Sequence, residues 1–212
     1  MQDLQKALAD IGSIRQQLAA GTMFRGFGPA VVAITGLLAA ATATAQSLWL
    51  GDPTHRPLTF LAAWAATAVA GAALIGAEMI ARTRRHHAGL AAAMLHNAVE
   101  QSLPAGIAGL AIGIVLIAFA PETLWMLPGL WQILLGLGIF ASVRSLPRAV
   151  GLAGAWYVAT GVFVLALSAH TQALSPWSMG LPFVVGQLML AAILHYAYEE
   201  DAHGDVDDED AR

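Results

Sequence analysis

Five stretches of the chain are free of Asp, Glu, Lys and Arg: Gly26–Gly51, Pro57–Ala77, Gln101–Pro121, Thr123–Val143 and Ala149–Tyr198. A helix needs about 20 apolar residues to cross roughly 30 Å of hydrocarbon. The first four stretches each have the length of one span. The fifth holds 50 residues and divides at a polar, turn-rich stretch, 168–180, with His170, Gln172, Ser175, Pro176 and Ser178. The pattern predicts six transmembrane helices. The runs are long, rich in Ala and Leu and lack period-two alternation, so strands do not compete.

Proline marks the same boundaries, because it lacks a backbone donor and suits the first turn of a helix. Pro29, Pro57, Pro104, Pro128, Pro147 and Pro182 each stand near the start of an apolar segment, leaving Pro53, Pro121 and Pro176 for short connections. The predicted fold is an all-α polytopic membrane bundle, residues 26–198, with a single longer connection between spans two and three.

Composition agrees with this reading. The 212 residues are 58% hydrophobic and 11% charged, with a mean hydropathy of +0.65, whereas soluble domains run near 25% charged. Too little polar surface is left to cover a water-soluble globule. The chain has no cysteine, which excludes disulfides, thiolate chemistry and Cys-based metal sites.

Charge sets an orientation. Lys6, Arg15, Arg25, Arg82, Arg84, Arg85, Arg144, Arg148 and Arg212 fall on one side of the six spans, and only Arg56 of the ten bases falls on the other. Basic residues in short loops stay cytoplasmic, so both termini are expected inside. Trp49, Trp125 and Trp177 then lie at the outer interface, and the chain reads as three hairpins with outward turns. Ser145-Leu146-Pro147 repeats Ser102-Leu103-Pro104 at a period of 43 residues, and internal repeats in membrane proteins often frame a substrate path. Ala43-Thr44-Ala45 resembles a signal-peptidase site, but the apolar run continues past it, which reads as an uncleaved first span.

The two ends differ in character. Within residues 1–25, Leu4, Leu8, Ile11, Ile14 and Leu18 share one helix face, predicting a cytoplasmic amphipathic helix on the inner surface. Residues 199–212 carry eight acids and one base, while the other 198 residues sum to plus three. Such acid runs are solvated and disordered by default. No EF-hand spacing is present among them. Either end, 1–20 or 199–212, is a candidate contact for a cytoplasmic protein partner.

Ionisable groups near spans are expensive and therefore functional candidates. Glu78, His96, Glu100, Arg144 and His195 come from four of the six helices and share a depth near the inner interface, where convergence would create a polar binding cluster. His96, Glu100 and His195 are the metal candidates, and His96 and Glu100 stand one turn apart. On the outer half, Gln46, Gln132 and Gln187 can hydrogen-bond between helices. No Gly-x-Ser-x-Gly or His-Glu-x-x-His occurs, so rhomboid-type and metalloprotease chemistry have no support, and the expected function is non-enzymatic and without a cofactor. His86 and His87 extend a basic loop suited to anionic headgroups.

Phe24-Arg25-Gly26-Phe27-Gly28-Pro29, Glu78 to His87, Leu127-Pro128-Gly129-Leu130-Trp131-Gln132 and Ser175 to Phe183 together resemble a set of small bacterial inner-membrane proteins usually left as hypothetical. The resemblance implies a bacterial cytoplasmic membrane and carries over no functional residue. The sequence reading is a non-enzymatic carrier or channel for a small solute or ion. The alternatives are a scaffold or sensor subunit and a metal- or haem-binding membrane protein. Its expected partners are the lipid bilayer, a cytoplasmic protein through 1–20 or 199–212 and a second copy of the chain, with no nucleic acid.

Overall fold

The computed structural model describes the backbone of residues 28–86, 91–143 and 146–210, and the side chains of 28–81, 100–101, 103–143 and 146–197. The expected surface helix over 1–25 and Arg144 lie outside the described residues, as does the side chain of His96. Among the described residues the chain is all-helical. The six helices are α1 (Pro29–Trp49), α2 (Pro57–His86), α3 (Ala91–Phe119), α4 (Leu127–Ser142), α5 (Val150–Thr171) and α6 (Pro176–Asp210). Two 3-10 turns, Pro53–His55 and Pro121–Met126, lead into α2 and α4.

Five helical segments are long and apolar enough to cross a membrane: Pro29–Trp49, Pro57–Ala81, Pro121–Ser142, Val150–Thr171 and Pro176–Ala197. A sixth apolar stretch, Leu103–Phe119, is shorter and forms the second part of α3. Large apolar side chains point outward all around the bundle, among them Leu37, Val69, Leu110, Phe163 and Leu188. A soluble protein does not tolerate so continuous an apolar surface. In lipid it is the expected outer face, which makes this a multi-pass membrane protein.

Each helix packs on its neighbours in chain order, and α6 closes the ring on α1. The closest seams are α4 with α5 and α1 with α6, and α2 touches α3 least. The tightest packing therefore runs between the expected hairpins and not within them. Lipid tails are as apolar as leucine, so helices in a membrane gain most by close backbone approach at small residues. The α4–α5 seam does this twice. A methyl group added at Gly161 would sit 2.7 Å from the carbonyl oxygen of Gly129, and one added at Gly136 would sit 2.7 Å from that of Gly154. The pairs lie seven residues apart on each antiparallel helix, two turns, so one face carries both.

The end of the bundle formed by 50–56, 120–126 and 172–175, here the upper end, has a core of Ala39, Ala43, Phe60, Leu61, Trp64, Leu124, Leu127, Leu174 and Met179. Its loops are tied together, since the amide of Leu174 donates to Thr54 Oγ1 at 3.2 Å. Asp52 caps the first 3-10 turn by accepting from the amide of Thr54 at 2.9 Å. That bond, and a second to the Thr54 side chain, hold the Asp52 carboxyl below its ordinary value. The lower half has a smaller core of Val32, Val150, Ala191 and Leu194.

Several expectations are corrected. Pro104 and Pro182 do not start helices but lie inside α3 and α6. Pro176, expected in a connection, starts α6. The expected turn-rich stretch 168–180 shrinks to 172–175, closed by Gln172 in the left-handed conformation at φ 50. A helix can hold proline when neighbours supply the missing donor. The 43-residue repeat is also not structural, because Pro104 is inside α3 whereas Pro147 precedes α5. The longer connection between the second and third helices is largely helical, with α2 reaching His86 and α3 resuming at Ala91. The α6 backbone stays helical to Asp210, so the acidic segment over 199–210 continues α6 instead of leaving it as an irregular chain.

Candidate functional site

Proline inside a helix leaves the carbonyl four residues earlier without its intrahelical donor. For Pro182 that carbonyl belongs to Ser178. The structure supplies the missing donor from another helix: Gln132 Nε2 of α4 donates to Ser178 O at 2.9 Å. Gln132 is completely buried, at 0% exposure. An unpaired carbonyl in hydrocarbon is costly, so this one bond makes the break in α6 tolerable.

The residues just below the break are held from α5. Trp156 Nε1 donates to Pro182 O at 2.9 Å. The Tyr157 hydroxyl lies 3.5 Å from Phe183 O, a long contact, and faces the side chain of Gln187. Tyr157 is fully buried against Gly186, where a Cβ would overlap its ring. The Tyr157 and Phe183 rings meet edge to face at 5.3 Å, and Phe183 reaches Trp64 at 6.1 Å and through it Phe60. An aromatic chain thus crosses the bundle from α5 through α6 to α2.

Other helices are joined by the same chemistry, a side-chain N–H on a neighbour's backbone carbonyl. Gln46 Nε2 of α1 donates to Phe60 O of α2 at 3.0 Å, and Trp131 Nε1 of α4 donates to Gly109 O of α3 at 3.0 Å. Thr42 and Thr67 share a hydrogen bond of 2.7 Å between α1 and α2. The inter-helix role expected for Gln46 and Gln132 is therefore seen directly, and Gln187 stands beside Tyr157. Among the described residues the side-chain oxygens of Gln46 and Gln132 and the indole N–H of Trp64 find no hydrogen-bond partner, although all three are buried. The polarity of this region is thus only partly used in holding the helices together.

Of the residues expected at the inner interface, the side chains of Glu78, Glu100 and His195 are described. Glu78 is half-buried on α2 and lines a shallow surface groove, without an enclosed cavity, beside Gly28, beside Val31 and Val32 of α1 and beside Ile75. The first turn of α1 carries no acid of its own and no side-chain cap, so a carboxylate on the neighbouring helix is well placed against its positive end. Glu100 on α3 and His195 on α6 are exposed, and His195 lies against the ring of its neighbour Tyr196 at 5.7 Å. Among the described residues no three His, Asp or Glu side chains gather as a metal site would require.

The sequence reading missed the break at Pro182 together with its donors Trp156 and Tyr157. The available signal was the position of Pro182, only six residues after Pro176: two prolines so close cannot both begin the same helix. Comparison with protein-family models, with curated proteins and with solved structures finds no match to this chain.

Proposed function

We propose that the protein is a six-span carrier for a small solute or ion in a bacterial cytoplasmic membrane, with both termini in the cytoplasm. The uncharged stretch Gln101–Pro121 supplies the sixth span, and the nine-to-one placement of basic residues supplies the orientation. One observation supports carriage above other roles. Only two of the six helices have a proline inside them, α3 at Pro104 and α6 at Pro182, and these are the third helices of the two three-helix halves. Proline-interrupted helices at corresponding places in two halves are the signature of transporter binding sites, where polar side chains and freed carbonyls face a solute. At Pro182 the freed carbonyl and the half-used amide of Gln132 provide such groups in an otherwise apolar interior.

The test is flux in proteoliposomes, with protons, sodium and potassium as probes followed by ion-sensitive dyes. Flux above empty liposomes for at least one probe is expected, reduced about tenfold or more in Gln132→Leu or Glu78→Ala, as for loss of a polar contact worth about 1.4 kcal/mol or more. Flux that is absent, or unchanged in both variants, contradicts the proposal. An inert protein that co-purifies with one stoichiometric cytoplasmic partner would favour the scaffold reading instead.

A further inference from the structure

We propose that α6 is hinged at Pro182 and that Gln132 is the latch that holds the hinge. The moving part is the upper segment Pro176–Leu181 with the 172–175 turn. Two observations converge on this division. Pro182 removes the hydrogen bond that would join the first turn of α6 to the second, leaving Ser178 O to be bonded by Gln132 alone among the described side chains. The anchoring changes partner at the same residue: Trp156 and Tyr157 of α5 hold Pro182 O and Phe183 O, whereas above the break the bonds go to α4 through Gln132 and to the 50–56 loop through Thr54.

The latch is also built to release. Gln132 spends its amide N–H on Ser178 O, and among the described residues its own oxygen, in a fully buried position, meets no donor. Opening the segment exposes that oxygen, which offsets part of the bond lost. A helix that lacks one backbone hydrogen bond at Pro182, with a single neutral side-chain bond in its place, is a hinge of the kind that absorbs a conformational change at a few residues. The proposal bears on the carrier reading as its gate, but it is tested without flux, so either can fail alone.

Hydrogen–deuterium exchange of the purified full-length protein in nanodiscs tests it with Gln132→Leu, Pro182→Ala and the double variant. Gln132→Leu is expected to speed exchange across 177–186 by about tenfold, the equivalent of one net hydrogen bond, with α5 unchanged. Pro182→Ala restores a donor for Ser178 O and is expected to slow exchange over the same amides. In that background Gln132→Leu is expected to change exchange by no more than about twofold, because the two groups act on one carbonyl and are not additive. An equal effect of Gln132→Leu in both backgrounds, or acceleration spread over all helices, would overturn the latch. If Gln132→Leu does not fold, Pro182→Ala decides alone: exchange over 177–186 that is not slowed overturns the hinge.

Discussion

Alanine at Gly161 is expected to destabilise the bundle by about 2–3 kcal/mol, the upper range for an overpacked interior. Leucine there is expected to prevent α4 and α5 from closing at all. The reason is what the added atoms would meet. A Cβ at Gly161 would stand 2.7 Å from Gly129 O, 2.8 Å from Ile133 Cγ1 and 3.0 Å from Ile133 N. Two of those three atoms are backbone, which cannot rotate aside, so relief requires the helices to separate. Separation forfeits the second glycine pair, Gly136 with Gly154, on the same face. Without a hydrophobic drive between helices in lipid, close contact is most of what holds this seam. Gly106→Ala on α3 is the control, because nothing lies within 4 Å of its added methyl, and higher helix propensity makes it neutral or stabilising by up to about 1 kcal/mol. Unfolding in mixed dodecyl sulfate micelles measures both. Equal midpoints for Gly161→Ala and Gly106→Ala would contradict the account of the seam.

Truncating Tyr157 is expected to have an effect of similar or greater size. Tyr157→Ala should cost about 3–5 kcal/mol, as large aromatic-to-alanine changes in packed interiors do. Among the described residues the ring is the largest fully buried side chain, it fills the space that Gly186 leaves and it ends the aromatic chain through Phe183 and Trp64. Tyr157→Phe keeps all of that and removes only the hydroxyl, whose contact with Phe183 O is long at 3.5 Å, so a loss below about 1 kcal/mol is expected. The same unfolding experiment separates the two. A Phe variant as damaged as the Ala variant would mean that the hydroxyl, and not the ring, holds α5 to α6.

Much of the architecture was legible in the sequence because membrane spans are written in the absence of charge, which survives any tertiary detail. The starts of α1 and α2 at Pro29 and Pro57, and the connection before α4, follow from that signal directly. The path of α6 did not. Pro182 follows a polar segment and resembles a helix start, and only a donor from α4, 46 residues away in sequence, makes it tolerable inside the helix. The glycine seam was hidden for a similar reason: Gly129, Gly136, Gly154 and Gly161 are four among 21 glycines, and only the antiparallel register of α4 and α5 pairs them. The glutamines were legible as inter-helix groups because an amide in an apolar run has few other uses. Glu78 was legible as a polar group near the end of a span, but its setting against the first turn of α1 depends on which helices adjoin. The closure of α6 on α1 is a matter of packing that no single-helix pattern encodes.

The central claim, six spans with both ends on one side, is open to direct mapping because the chain has no cysteine of its own. Single replacements Thr54→Cys, Glu122→Cys, Ala173→Cys, Ala88→Cys, Ala149→Cys and Ala211→Cys would be labelled in intact cells with a membrane-impermeant maleimide, before and after permeabilisation. Labelling of the positions at 54, 122 and 173 in intact cells, and of those at 88, 149 and 211 only after permeabilisation, is the expected result. Labelling of 88, 149 or 211 from outside, or protection of 54, 122 or 173 until the membrane is opened, would contradict it.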